Sequence, residues 1–218
     1  MNLKDISVKK FIALDDIMKG NFYATETDRE IALLVELTGN PEDYYLNMLW
    51  PEFMKHKQTL DFLTLDKVEA KAQRFIKTNG NVYAPVYDFH KLTAGQLIDV
   101  LHFAKDEQGV ILNLPNILAS FCVPTKKTFT GRKLLPYGSK VHAEVSQDML
   151  TASIVDAYSI SVFFWDVWNN FLAATGDYLV RTMLTKKAKT GEKLTQQETT
   201  ALLTILEGYG DGITQRKK

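Results

Sequence analysis

Apolar residues recur along most of this chain at spacings of three and four, the period of helices with one buried face, and glycine, proline or capping residues mark the breaks. Val8, Phe11, Ile12 and Met18 predict a first short helix ending near Gly20. Thr27 and Glu30 are spaced as a capping box, in which the threonine oxygen accepts an amide of the first turn while the glutamate reaches back, and Gly39 stops the helix that follows. Asn40-Pro41 starts another, with asparagine as N-cap and proline where its missing N–H is harmless. Pro51 opens one more, carrying Phe53, Met54, Leu60 and Leu63.

The period then changes. Arg74–Lys77 and Val82–Tyr87 flank Asn79-Gly80, a pair that readily takes the positive φ angles of a type I′ turn, so residues 72–88 are expected as a β-hairpin. Pro85 limits the second strand to an edge or ends it early. Thr93 and Gln96 form a second capping box ahead of Leu97, Ile98, Leu101 and Phe103, and a further apolar run from Leu112 to Phe121 closes at Pro124. Residues 124–145 lack periodicity and are expected as a long loop, a feature usually functional or mobile in compact domains. A third box, Thr195 with Glu198, opens a last amphipathic helix through Leu202, Leu203, Ile205 and Leu206 to Gly208, leaving 209–218 as an exposed tail.

The densest apolar signal is IVDAYSISVFFWDVWNNFL, residues 154–172, which brings together Phe163, Phe164, Trp165, Trp168 and Phe171. On a helix these rings and their apolar neighbours cover about half of the circumference, while Ser159, Asp166, Asn170 and Asp177 fall in a narrower polar stripe. Such a helix organises a core or a subunit contact. The fold class expected is therefore mainly α: one domain over 1–218, a compact bundle of short capped helices around one long aromatic-rich helix, with a small β-hairpin.

Charge adds one asymmetry to this picture. Lys plus Arg and Asp plus Glu balance at 26 each, which by itself points to neither a nucleic-acid nor a membrane partner. Yet residues 1–60 hold ten acids against seven bases, whereas 108–143 hold no acid and five bases: Lys126, Lys127, Arg132, Lys133 and Lys140. Interleaved with Phe129 and Tyr137, these cations suit phosphates or an acidic face of another subunit, and equally a solvated surface loop. Asp156, Asp166, Asn169 and Asn170 break the run around Phe163 and make a membrane span costly. The N-terminus MNLKDISVKKF has no secretory apolar core, so no export is expected.

Candidate chemistry is sparse. His56, His90, His102 and His142 show no pairing at helical ligand spacing, so no metal site and no cofactor are expected. His102, four residues after Ile98, reads as a core histidine with satisfied hydrogen bonds, and Asp88-Phe89-His90 as a polar pair in a turn. The single cysteine, Cys122, precludes a disulfide within the chain, and apolar neighbours would raise its pKa, so it reads as structural. Gly131 to Lys140 ends in Gly-Ser-Lys but fails a phosphate-binding loop on spacing and on Pro136. No catalytic residue is assigned, and the chain is not expected to be an enzyme.

Four segments carry a resemblance. LLVELTGNPEDYYLNM from Leu33, VYDFHKLTAGQLIDV from Val86, NILASFCVP ending at Pro124 and SVFFWDVWNNFL from Ser161 resemble, in that order, motifs of an uncharacterised family of tailed-bacteriophage virion-morphogenesis proteins, together spanning roughly 28–175. The resemblance implies a non-enzymatic role in forming the neck or tail of a phage particle: a virion protein, made in the host bacterial cytoplasm, that contacts other phage structural proteins and forms a homo-oligomer, with no membrane partner. A ring component that stays in the particle and a transient tail-assembly chaperone both fit it. A separate reading of the residues is a nucleic-acid-contacting module that uses the basic segment 126–140.

Overall fold

The first predicted helix is α1, Val8–Lys19, closed by Gly20 as expected, in a computed structural model that describes residues 2–63, 68–69, 71–104, 109–129 and 131–170. Ser7 caps it by accepting the Lys10 amide at 3.2 Å. The described chain is mainly helical with one small four-stranded antiparallel sheet, and it falls into two compact units, 1–163 and 164–218.

Helix α2, Glu26–Thr38, is capped two residues before the expected box. Its N-cap is Thr25, whose Oγ1 accepts the Asp28 amide at 3.1 Å while the Asp28 carboxylate accepts the Thr25 amide at 2.9 Å. Thr27 and Glu30 do not form a box because Glu30 is buried and pairs with Lys57 at 2.7 Å instead. Thr25→Ala is therefore expected to cost about 1 kcal/mol, and Thr27→Ala no more than about 0.5 kcal/mol, when both are measured by urea unfolding; equal losses would restore the other register. Gly39 ends α2 at φ +78, a left-handed conformation that favours glycine.

Helix α3, Glu42–Leu46, has Pro41 rather than Asn40 at its cap, because the Asn40 side chain is engaged elsewhere, its Nδ2 donating to the Tyr45 hydroxyl at 3.3 Å. Helix α4, Trp50–Lys57, carries Pro51 in its first turn. Ile31, Leu34, Tyr45 and Phe53 bury together between these helices, with Val35, Met48, Met54 and Leu60 packed on them.

The sheet runs in the order β1, Ile76–Thr78; β2, Asn81–Pro85; β3, Cys122–Thr128; β4, Gly131–Leu134. Asn79 and Gly80 take φ of 48 and 76, the expected turn. Pro85 does not put β2 at an edge; it ends the strand, and the Val86 amide continues the ladder by donating to the Phe121 carbonyl at 2.9 Å. The segment expected as a loop over 124–145 is instead the β3–β4 hairpin followed by helix α7, Ser139–Met149.

Helix α5, Ala94–Ala104, opens on the predicted Thr93–Gln96 box, with mutual hydrogen bonds of 3.0 and 3.3 Å. Helix α6, Val110–Phe121, is the centre of the first unit: α1, α5 and α7 all pack on it, and Leu114, Ile117, Leu118 and Phe121 have no exposed surface. The start of α1 is held by the Val8 amide on the Ala152 carbonyl and the Ile154 amide on the Ile6 carbonyl, both at 2.9 Å.

Residues 154–163 are helical, and Ile154, Ala157 and Ile160 are fully buried. Ser159, expected on the polar stripe, is buried too, because its hydroxyl donates to the Glu69 carbonyl at 2.7 Å. Phe163 is half-buried and meets Tyr87 edge-on, with ring centroids 4.8 Å apart. In the second unit residues 164–170 are helical, Phe164 and Trp168 are buried, and Trp165 is half-buried with its ring edge-on to Phe164 at 5.6 Å. Phe171, Asp177, the Thr195–Gly208 helix and the tail lie outside the described residues.

Candidate functional site

Strand β3 changes neighbours along its length. Cys122 to Pro124 pair with β2, whereas from Thr125 onward the strand pairs with β4, so the end of the hairpin is a two-stranded ribbon. Its register sets Lys126 opposite Lys133 and Lys127 opposite Arg132. Cross-strand partners share a face and successive residues alternate, so each face of the ribbon carries one pair of like charges. Each pair disfavours the ribbon by about 0.2–1 kcal/mol in the absence of a counter-charge. None of the four cations forms an ion pair among the described residues.

The face bearing Lys127 and Arg132 is the more structured one. The Arg132 guanidinium donates to the Thr125 hydroxyl at 3.0 Å and lies 5.8 Å from the centre of the Phe75 ring, which Arg74 approaches at 5.2 Å. Around them opens a groove of about 500 Å³, lined also by Lys127, Phe129 and Leu134 and, among the described residues, by no carboxylate. Phe129, at the tip, is 106% exposed. Four of the five predicted basic residues thus meet on one ribbon. Lys140 does not; it lies exposed in the first turn of α7. Arg74 and Phe75 were not singled out in the sequence, since only the strand pairing brings them beside Arg132.

A second exposed surface lies at α3–α4. Tyr44, Leu46, Leu49 and Trp50 expose 47%, 57%, 70% and 62% of their surfaces within seven residues. Glu42, Asp43 and Glu52 are exposed beside them in sequence, and these carboxylates form no ion pair among the described residues.

The first hairpin commits its turn to its own chain. The Asp148 carboxylate near the end of α7 accepts hydrogen bonds from Asn79 and Asn81, each at 2.7 Å, and from the Tyr83 hydroxyl, while Thr78 donates to the Asp148 carbonyl at 3.0 Å. Burial opposes the charged form of Asp148, and the three donors outweigh it, holding the carboxyl below the usual carboxylate range. Burial first, and then the bond to Asp148, push the Tyr83 hydroxyl well above the usual phenol range. A carboxylate engaged by three donors is a clamp rather than a proton acceptor.

The histidines divide differently from the expectation. His102 is exposed. His142 on α7 takes the core role: its Nε2 donates to the Asn116 carbonyl at 3.1 Å and lies 3.2 Å from the Ser120 hydroxyl, and its ring stacks on Phe103 at 5.4 Å. Asp88 caps a short 3-10 turn at Phe89–Lys91 by accepting the His90 amide at 3.1 Å, the turn role expected for that pair. Cys122 is buried, which pushes its thiol far above the ordinary cysteine range. Among the described residues no group of three or more His, Cys, Asp or Glu side chains is placed to hold a metal ion, and no helix is long and apolar enough to cross a membrane.

No family model, no curated protein and no solved structure matches this chain.

Proposed function

We propose that this chain is a non-enzymatic structural or assembly protein of a tailed-bacteriophage neck or tail, acting through protein–protein contacts as a ring component of the particle. The phage assignment rests on the motifs from Leu33, Val86, Asn116 and Ser161. The observation that carries the contact role is the basic ribbon, an outer strand pair whose like-charged faces lack a counter-charge among the described residues and so gain from a partner. On this reading the protein is made in the bacterial cytoplasm and resides in the virion beside other phage structural proteins, and the aromatic run 154–172 organises a compact helical bundle. The test is a mass-spectrometric inventory of purified particles. A fixed copy number per particle supports the ring component. Recovery only with unassembled tail proteins turns the role into that of a chaperone, and absence from both defeats the proposal.

A second reading is favoured by the groove, where Arg74 and Arg132 flank Phe75 with Lys127 and Phe129 nearby, a mixture of cations and rings suited to a phosphodiester strand and its bases. It predicts that binding to a single-stranded oligonucleotide falls with salt at a log–log slope of about −2 for phosphate contacts by the three cations of the groove, Arg74, Lys127 and Arg132. Alanine at Lys126, Lys127, Arg132 and Lys133 abolishes that binding. Binding that is absent or insensitive to salt removes this reading.

A further inference from the structure

The basic ribbon and the α3–α4 surface match each other. The ribbon presents Lys126, Lys127, Arg132 and Lys133 with Phe129 at its tip and Leu134, 49% exposed, on its grooved face. The α3–α4 surface presents Glu42, Asp43 and Glu52 with four exposed apolar side chains, and residues 41–54 contain no base. We propose that these two surfaces are partners on different copies of this chain, the ribbon of one copy docking on the α3–α4 surface of the next. This deepens the reading of the chain as an assembly protein and rests on it.

Charge is the first argument. The whole chain sums to zero, 26 against 26, so copies do not repel one another overall, yet two exposed surfaces of opposite sign orient them on approach. Carboxylates brought to one face of the ribbon supply the counter-charge that the like-charged cross-strand pair on that face lacks. Composition is the second argument. Trp50, Tyr44 and Phe129 are the ring types that dominate the energetic centres of protein contacts, with the charges on the rim. A nucleic-acid strand on the ribbon would leave the exposed Leu49 and Trp50 without a role. Since the two surfaces differ, the contact is heterologous: each added copy brings one free ribbon and one free α3–α4 surface, and the assembly grows until its rotation closes a ring or continues as a filament.

Analytical ultracentrifugation of the full chain tests this. The wild type is expected to exceed its monomer mass of 24.8 kDa increasingly with concentration, and less so in high salt. Two charge-reversed variants, one with Lys126, Lys127, Arg132 and Lys133 changed to Glu, the other with Glu42, Asp43 and Glu52 changed to Lys, are each expected to bind their own kind at least tenfold more weakly. All of these side chains are exposed, and circular dichroism with a thermal melt checks that both variants fold. Mixed together the two variants are expected to assemble, since each supplies the intact surface that the other lacks. A wild type that stays monomeric at every concentration overturns the pairing, as do reversed variants that assemble like the wild type or a mixture that fails to assemble. A protein present in particles but monomeric in solution sinks the pairing and leaves the phage reading standing. Self-association that depends on both surfaces, in a protein absent both from particles and from unassembled tail proteins, upholds the pairing and sinks the phage reading.

Discussion

Phe121→Ala is expected to lower the unfolding free energy by about 3–5 kcal/mol, the range for deleting a fully buried phenylalanine, because the lost transfer energy and the cavity left behind add together. Phe121 has no exposed surface and is the last residue of α6, the helix on which α1, α5 and α7 pack. The next residue, Cys122, opens β3, and the Phe121 carbonyl accepts the Val86 amide at 2.9 Å, so the ring sits where the helical layer is joined to the sheet. Relaxation into the cavity would have to move both layers, which places the cost toward the upper end. Against a total stability of about 5–15 kcal/mol this is about a fifth or more, and at about 2–4 °C per kcal/mol for a chain of this size the melting temperature falls by about 6–20 °C. Leu118→Ala, one helical turn earlier and equally buried, falls in the range of about 2–5 kcal/mol. Thermal and urea unfolding read both changes, and a loss below about 1 kcal/mol at Phe121 contradicts a close-packed junction.

How much of this was legible in the sequence depended on whether the deciding contacts were local. The stop at Gly39, the Asn79-Gly80 turn and the Thr93–Gln96 box are settled within four residues, and each lies where its spacing placed it. The Thr27–Glu30 spacing was as good as that of Thr25 and Asp28, and the tie was broken from outside the helix by Lys57 holding Glu30. The second hairpin was missed because a ribbon that buries neither face has no reason to alternate polar and apolar residues. Its cations occupy both faces, and Gly131 with Thr125 and Thr128 was the only strand-like cue. For the histidines the selection came from α6, where Asn116 and Ser120 offer hydrogen bonds to His142. The basic cluster itself was visible as a run without acids. Its grouping on one ribbon with Arg74 and Phe75, and the separation of Lys140 from it, required the strand pairing.

The least legible feature, the Asp148 clamp, joins residues 65 to 69 positions apart through Tyr83, Asn81 and Asn79, and its removal carries the other large effect. Asp148→Ala is expected to cost about 2–3 kcal/mol, as hydrogen bonds to a charged group contribute about 1.5–3 kcal/mol each while donors that regain water recover most of theirs. Asn79 and Asn81 are exposed and rehydrate; Tyr83 is 3% exposed and cannot. Asp148→Asn should cost nearly as much, because its new N–H groups would face donors. The pH dependence separates this clamp from mere packing. The folded carboxyl titrates below its unfolded value of about 4, so its contribution is complete above that value and fades as the pH falls through the folded one. The Tyr83 hydroxyl is raised, so its contribution is complete below the unfolded phenol value of about 10 and is lost as the pH rises. The stability gap between wild type and Asp148→Ala is therefore expected to be full above about pH 5 and to close as the pH falls through the folded carboxyl value, whereas the alkaline loss, which comes first from the burial of Tyr83, is shared by both proteins. Tyr83→Phe keeps the other two donors on Asp148 and should cost less, and the double variant should cost less than the sum of the singles, since both remove the same bond. A gap that stays constant from pH 3 to 9 would mean that Asp148 acts through shape alone.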